Sequence, residues 1–345
     1  MRIRYLARKN YGAAKHVVLF LFLAGWVSCQ AVETSAKSVP GEPLRLEESL
    51  DAMGTTYSLV IYGTDRYKMM AAAEAAFDEV RRLDRMLSNY RADSDLSEIN
   101  RRGADGPVKV TKELFDLLAY CEDVSRQSEG AFDITVGPLM KVWGFYKGSG
   151  HLPHRAEVRG ALGHIGWQNV VLDAKNQTVS LRLQGMELDP GGIGKGYAAD
   201  RIVDVLKENG VTAAMISAGG SSIYGLGNPP SEPRGWQVSL RHPRDSRQTV
   251  QVVYLKNQSM STSGNYEKFF RAEGKVYCHI MDPRTGYPAQ GMLSASVITP
   301  RTLDSEAWTK PYFINGRDWT VKHKLKDSRV FLCEDRSELA CAWVQ

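Results

Sequence analysis

Two spacings of hydrophobic residues alternate along the chain, and each predicts its own type of element. In residues 66–89 apolar side chains recur every three or four positions, as on one face of an α-helix. The same spacing follows Thr111, a residue suited to capping a helix start, and ends at Gly130. It returns in residues 196–209. The sequence therefore predicts three amphipathic helices in these segments.

Other segments are short, apolar and rich in β-branched and aromatic side chains, which predicts strands. They are TTYSLVIYG (55–63), NVVLDAKNQTVSLRL (169–183), AAMISAGGSSIYGLG (213–227), GWQVSLRHP (235–243), TVQVVYLKNQSMSTS (249–263) and MLSASVITP (292–300). The second of them contains a turn-like centre at residues 175–177. Because the strands come in pairs, with helices inserted and no regular βαβ rhythm, we expect one α+β domain over residues 51–345.

The N-terminus has the pattern of an export signal. Five Lys and Arg residues precede residue 16, and a short apolar run follows at 17–27. That run is shorter than the ~20 residues of a spanning helix, although a membrane anchor is the alternative interpretation. Cys29 is placed either for lipid attachment or beside an ordinary cleavage site. We expect residues 1–29 to direct export to the periplasmic side of the inner membrane, and residues 30–50 to form a polar tether.

Charge and cysteine content narrow the possible functions. The formal net charge is +5, but without the cations before residue 16 the chain is near neutral, so composition gives no support for nucleic-acid binding. Cys333 and Cys341 lie eight positions apart and could form a disulfide in an oxidising compartment. Cys121 and Cys278 have no metal-site spacing, and no zinc site is predicted.

The segment DPGGIGKGYAAD, residues 189–200, combines four glycines and a lysine immediately before a predicted helix. Backbone N–H groups, a helix N-terminus and an ammonium together suit a phosphate group. The spacing matches neither the P-loop nor the dinucleotide-binding fingerprint. A flexible turn in which glycines only permit positive φ is the alternative interpretation.

Three further segments concentrate polar chemistry. HIMDPRTGYP (279–288) places a histidine, an aspartate and an arginine near a turn, and STSGNYEKFF (261–270) carries several hydroxyl groups. GAFDITVGPLMKVWGF (130–145) surrounds Asp133 with apolar residues, and a carboxylate in such surroundings usually has a specific partner. These segments favour a binding site over an ordinary turn at the glycine loop.

Together with DAMGTTYS, SNYRADSDLSEIN and DSEAWTKPYFING, these motifs make the chain similar to the ApbE-like flavin transferases, from about Met53 to about Gly316. The resemblance implies a single domain of mostly antiparallel strands with a cleft for FAD between its layers. It also implies an exported FAD:protein FMN transferase. Such an enzyme splits FAD and attaches FMN through a phosphodiester bond to a threonine of a partner flavoprotein, with release of AMP.

The resemblance also implies roles for individual residues. Met53, Tyr90 and Ile280 would pack against the rings of FAD, and Asp189 and Lys195 would hold its ribose or phosphate groups. The cleft would further be lined by Ala131, Phe132 and Asp133, the last accepting a hydrogen bond from FAD. His279 is the candidate general base, because imidazole suits proton transfer near neutral pH; a strand-end histidine bonded to a carbonyl is the alternative.

A magnesium site is implied as well, at the carbonyl of Gly192 and at Glu306 and Lys310, but here the chain departs from the family pattern. Glu306 replaces an aspartate, and Lys310 replaces a threonine with an ammonium that repels Mg²⁺. Either Asp304 and Thr309 serve instead, or Lys310 takes over part of the metal's electrostatic role. A degenerate FAD-binding or FAD-storing protein and an FAD pyrophosphatase are the alternative functions.

Overall fold

The computed structural model describes residues 43–345 except 147 and 149. Its helices are α1 (Arg66–Leu87), α2 (Asp95–Arg102), α3 (Lys112–Gln127), α4 (Gly137–Val142), α5 (Arg155–Leu162), α6 (Gly194–Glu208) and α7 (Thr302–His323), with 3₁₀ turns at Trp167–Asn169 and Pro190–Gly192. No helix in this part of the chain is both long and apolar enough to cross a membrane. The predicted export signal and Cys29 lie outside the described residues.

The strands run in pairs along the chain. They are β1 (Leu44–Ala52), β2 (Thr55–Gly63), β3 (Val108–Lys109), β4 (Val170–Asp173), β5 (Thr178–Leu181), β6 (Ala213–Ala218), β7 (Ser222–Leu226), β8 (Trp236–His242), β9 (Asp245–Leu255), β10 (Gln258–Gly264), β11 (Phe269–Ala272), β12 (Lys275–Cys278), β13 (Met281–Asp282), β14 (Tyr287–Pro288), β15 (Met292–Thr299), β16 (Arg329–Glu334) and β17 (Ala340–Trp343). The expected α+β fold with mostly antiparallel strands is confirmed.

Eight of these strands form one antiparallel sheet in the order β1-β2-β6-β7-β10-β15-β16-β17. Helices α1, α6 and α7 cover one face, and the β8–β9 hairpin covers part of the other. Every residue of β15 is buried. Its Ala295 and Val297 belong to the core under the helices, while Leu293 and Ile298 belong to the core under the hairpin. A strand covered on both faces is expected to lack charged residues, and β15 has none, although Ser294, Ser296 and Thr299 interrupt its apolar residues.

Local sequence explains where the predicted helices begin and end. The Asp65 side chain accepts hydrogen bonds from the backbone N–H groups of Tyr67 and Lys68 and so caps α1. The Thr111 hydroxyl accepts from the Leu114 N–H at 3.3 Å, as predicted for α3. The helix ends at Gln127, and Glu129 and Gly130 beyond it both take positive φ, 57° and 78°. The predictions for α1, α3 and α6 are therefore confirmed to within a few residues at their ends.

The expected tether differs from the structure at its C-terminal end. Residues 44–50 lie in β1, which pairs with β2 along its whole length through a two-residue turn at Met53 and Gly54. Leu44, Leu46 and Leu50 face inwards, while charged residues occupy the exposed positions between them. Those charged side chains, usual on an edge strand, give the segment the composition of a linker.

Candidate active site

A cavity of about 440 Å³ lies where the glycine loop, the β1–β2 turn, the end of β10, the segment after β12 and helix α7 meet. A volume of this size is typical of small-molecule sites. All twelve residues assigned to the site from the sequence line it: Met53, Tyr90, Ala131, Phe132, Asp133, Asp189, Gly192, Lys195, His279, Ile280, Glu306 and Lys310. The glycine loop and the His279 segment therefore belong to one site.

The glycine loop is a single 3₁₀ turn that leads into α6. Asp189 caps the start of this turn: its Oδ1 accepts a hydrogen bond of 2.8 Å from the Gly191 N–H. Burial raises the pKa of the Asp189 carboxyl group. Gly196 in the first turn of α6 has no room for a side chain, since a Cβ there would lie 2.5 Å from the Thr302 carbonyl oxygen and 2.9 Å from Glu306 Oε2. This glycine thus lets α6 and α7 approach each other closely.

Three charged side chains form a cluster between α6 and α7. The Lys195 Nζ lies 2.6 Å from Glu306 Oε1, and the Gly196 N–H donates to Glu306 Oε2. The Lys310 Nζ donates to the carbonyl oxygens of Gly192 and Glu306, each at 2.9 Å. Glu306 is only 2% exposed. The cluster holds two positive charges and one negative charge at the cavity wall.

The pKa values of the cluster follow from its burial and charge. Burial alone would raise the pKa of Glu306, but the charges of Lys195 and Lys310 outweigh it and hold that pKa below its usual value. Burial lowers the pKa of Lys310 to about 8, against the opposing effect of the Glu306 charge. At neutral pH Glu306 is therefore a carboxylate and Lys310 is mainly an ammonium.

The groups implied for magnesium do not fit a metal ion. Gly192, Glu306 and Lys310 do come together, but the lysine ammonium already occupies the Gly192 carbonyl, and both Glu306 oxygens are engaged by Lys195 and Gly196. An ammonium has three donors and no acceptor, so it cannot be a ligand.

The alternative metal ligands Asp304 and Thr309 also fail as a pair. Asp304 accepts a hydrogen bond of 2.8 Å from the Tyr120 hydroxyl and is not part of the cavity wall. Thr309 lines the cavity, but its hydroxyl is bonded to Ser263 and to the Glu306 carbonyl, each at 2.7 Å. The interpretation in which these two residues replace the family ligands is therefore wrong.

His279 lines the cavity and is held as a neutral imidazole. Its Nδ1 lies 3.2 Å from the Lys268 carbonyl oxygen, which can only accept, so Nδ1 carries the proton and Nε2 has the lone pair. Burial and the charges of Lys268, Lys195 and Lys310 lower the pKa of His279 to about 4. His279 is bonded to a backbone carbonyl, as the alternative interpretation expects. It also lines the cavity, as a general base would.

Asp133 lines the cavity as expected and is also bonded within the protein. Its Oδ1 accepts hydrogen bonds from the backbone N–H and the hydroxyl of Thr135 at 2.8 and 2.7 Å, and its Oδ2 accepts from the Trp167 N–H at 2.9 Å. Burial raises the pKa of Asp133. Three of its acceptor positions therefore hold the cavity wall together. Phe132 beside it packs close to Gly192.

Another part of the cavity wall is aromatic. The ring of Tyr90 stacks on that of Tyr146 with centroids 4.7 Å apart, and the Tyr90 hydroxyl donates to the Tyr146 carbonyl oxygen at 2.8 Å. Met53, with φ of 52°, accepts a hydrogen bond of 3.3 Å from the Tyr57 hydroxyl through its sulfur. Sequence reasoning missed Tyr146. The signal available was the aromatic run from Trp143, which continues for one residue past the motif at Phe145.

Helix α7 is fixed by polar contacts at its start and along its inner face. The Asp200 carboxylate accepts hydrogen bonds from the N–H groups of Thr302 and Leu303 at 2.6 and 2.9 Å and caps the helix. The Ser305 hydroxyl lies 2.6 Å from that of Ser259 and 2.8 Å from that of Ser261, both on β10. These contacts place Glu306 and Lys310 at the cavity.

Comparison with known proteins agrees with the fold and with the motifs. The profile of the ApbE family matches residues 53–328. An FAD:protein FMN transferase of Klebsiella pneumoniae (strain 342) is 36% identical over 266 residues, 76% of this chain and 79% of that protein. A protein of that description from Treponema pallidum (strain Nichols) is 33% identical over 71% of this chain and 72% of its own length. The crystal structure of the ApbE protein of Thermotoga maritima has a TM-score of 0.78 and 29% identity, covering 86% of this chain and 96% of that one.

Proposed function

The chain belongs to the ApbE family, and from that premise we propose that it is an FAD:protein FMN transferase. It binds FAD, joins the FMN phosphorus to the threonine hydroxyl of a partner flavoprotein and releases AMP. The observation that carries the proposal is the cavity itself. Its wall combines a glycine turn and two ammonium groups with a pair of stacked aromatic rings, and these suit the diphosphate and the rings of FAD.

In this reaction the residues of the chain bind, orient and move a proton. Lys195 and Lys310 offset the negative charge of the diphosphate, and the Gly194–Glu208 helix presents its N-terminus to it. The threonine oxygen forms a bond to the FMN phosphorus while the bond to the AMP phosphate breaks. The threonine proton passes to His279 Nε2, which is unprotonated at neutral pH. No metal ion takes part in this scheme, because the donor groups implied for magnesium are already engaged.

The test is incubation of the purified protein with FAD and a threonine-bearing acceptor protein. Flavin fluorescence of the acceptor in a denaturing gel reports covalent transfer, and chromatography reports AMP. We expect both signals together, and an acceptor with alanine in place of that threonine serves as the control.

Storage of FAD is the second candidate function, and the closed charge cluster favours it because the implied metal ligands bind each other. Bound FAD with neither AMP nor labelled acceptor would establish that function. AMP and FMN without labelled acceptor would instead establish a pyrophosphatase.

We also propose that the protein acts outside the cytoplasm, on the periplasmic side of the inner membrane. The N-terminal signal pattern supports this location, as does the disulfide between Cys333 and Cys341, since disulfides persist in oxidising compartments. Cys29 is the proposed lipid attachment site that would hold it at the membrane surface. Mass spectrometry of the mature N-terminus tests this, because a lipid-modified Cys29 and an unmodified cleaved terminus differ in mass.

A further inference from the structure

The Lys310 ammonium lies where two backbone carbonyl groups converge. It donates to the carbonyl of Gly192 in the glycine turn and to that of Glu306 one helical turn earlier in α7. An ammonium has three donors, so two are used by these carbonyls and the third remains for a group in the cavity that Lys310 lines. Lys310 is thus anchored by the protein while one N–H is left for a ligand.

The charge around Lys310 is not balanced within the cluster. Glu306 is its one carboxylate, and it is already paired with Lys195 at 2.6 Å. The three side chains of the cluster therefore carry one excess positive charge, at a cavity wall where Asp189 is the neighbouring carboxylate and interacts with Lys195. An anion with two phosphate groups supplies the missing negative charge.

We propose that the Lys310 ammonium supplies the positive charge that a metal ion would otherwise supply, so that this chain transfers FMN without a divalent cation. This inference rests on the proposed function and adds to it the group that stabilises the negative charge on the leaving oxygen. As the threonine oxygen bonds to the FMN phosphorus, the bond to the AMP phosphate breaks and negative charge builds up on the leaving oxygen. The Lys310 N–H and its charge stabilise that oxygen, and no oxidant or further reactant is needed.

The same geometry opposes metal binding. A divalent cation at this place would displace the ammonium from the Gly192 carbonyl and would lie beside two positive side chains that share a single carboxylate. Like charges at such distances repel strongly in a partly buried site. The lysine and a metal ion are therefore alternatives at this position, and the structure holds the lysine in it.

The decisive experiment measures FMN transfer and AMP release by the unmodified protein after exhaustive chelation with EDTA. We expect rates within about twofold of those with added Mg²⁺, since the charge comes from Lys310. Calorimetric titration of the chelated protein with Mg²⁺, with and without FAD, provides a readout independent of activity. We expect no saturable heat of binding in either titration.

The lysine itself is tested by Lys310→Met, which keeps most of the length of the side chain and removes its charge. We expect kcat to fall about 100-fold or more, with a smaller loss of FAD affinity, because the ammonium acts mainly on charge that develops during the reaction. Lys322→Met, at an exposed position beyond the break in α7 at Gly316, is the control and should leave both values unchanged. Circular dichroism and thermal unfolding establish that each variant is folded.

Each outcome bears on a separate claim. Activity that is lost on chelation and restored by Mg²⁺ overturns the role of Lys310 but leaves the transferase function intact. An active Lys310→Met variant without metal does the same. An unmodified protein that binds FAD yet transfers nothing, with or without Mg²⁺, overturns the proposed function and this inference with it.

Discussion

The Lys195 ammonium on α6 lies 2.6 Å from the carboxylate of Glu306 on α7, and the carboxylate is almost completely buried. This ion pair joins the helix that leaves the glycine turn to the helix that carries Lys310. Removing one partner of a buried pair leaves a charge without compensation, which costs more than the pair itself contributes. The pair therefore connects the stability of the fold to the geometry of the cavity.

Glu306→Gln should be strongly destabilising, because it leaves Lys195 and Lys310 without a counter-charge. We expect the free energy of unfolding to fall by about 3–5 kcal/mol, measured by urea denaturation. Asp116→Asn is the matched control, since its pair with Lys112 is exposed on both sides and should contribute little. Equal stability of Glu306→Gln and the unmodified chain would contradict the ion pair as described.

Gly196→Ala should force α6 and α7 apart. The new Cβ would meet the Thr302 carbonyl oxygen at 2.5 Å, a backbone atom that cannot move aside alone. We expect a loss of about 1–3 kcal/mol in unfolding free energy and weaker FAD binding in a fluorescence titration. Gly160→Ala on α5 is the control, because nothing lies within 4 Å of its added Cβ. That variant should be neutral or more stable by up to about 1 kcal/mol.

The pH dependence of kcat/KM for FAD should show a plateau between two limbs. His279, with a pKa of about 4, is in its base form at any higher pH, so activity should persist well below the usual histidine range. Lys310, with a pKa of about 8, loses its charge above that value, so activity should decline on the alkaline side. Lys195 and Glu306 are the other charged groups of the cluster around Lys310.

The measurement is initial transfer rates from pH 4.5 to 9.5 at constant ionic strength. Lys310→Arg keeps its charge at all these pH values, so any activity it retains should lack the alkaline decline. A rate that falls in acid around pH 6.5 would contradict the environment described for His279.

The Cys333–Cys341 disulfide should stabilise the sheet edge without affecting the cavity. The two cysteines are directly opposite each other on β16 and β17, and neither lines the site. Replacing both by serine should lower the free energy of unfolding by about 2–3 kcal/mol and leave FAD binding unchanged. Dithiothreitol should lower the melting temperature of the unmodified chain but not of the double variant. The same response to reductant in both would show that the bond is absent.

Sequence spacing was sufficient for the elements that carry a regular apolar face. Strand β2 and helices α1, α3 and α6 follow from it directly, because each buries one face against the large core. Strand β1 does not follow from it, since its exposed charged residues obscure the alternation of its leucines. Its pairing with β2 depends on a tight turn at Met53, a residue type that rarely adopts the required positive φ.

The site was predicted as a set of residues, but the contacts within it were not. Motifs placed Lys195, Glu306 and Lys310 at the same cavity, whereas the bond from Lys310 to the Gly192 carbonyl depends on how closely two distant segments approach. The engagement of Asp133 by Thr135 and Trp167 likewise depends on the path of a loop. Short-range patterns carry no information on such contacts between segments.

The hydroxyl contacts of Ser305 with Ser259 and Ser261 determine the rotation of α7 about its own axis. A helix that rests on alkyl side chains can roll about its axis by tens of degrees and still exclude water. Hydrogen bonds have a defined length and direction, so two strand hydroxyls leave α7 a single angular setting. Glu306 and Lys310 are one helical turn apart on the same side of α7. The rotation of the helix about its axis therefore sets the direction of both side chains. Two serines on β10 thus determine where the Lys310 ammonium lies.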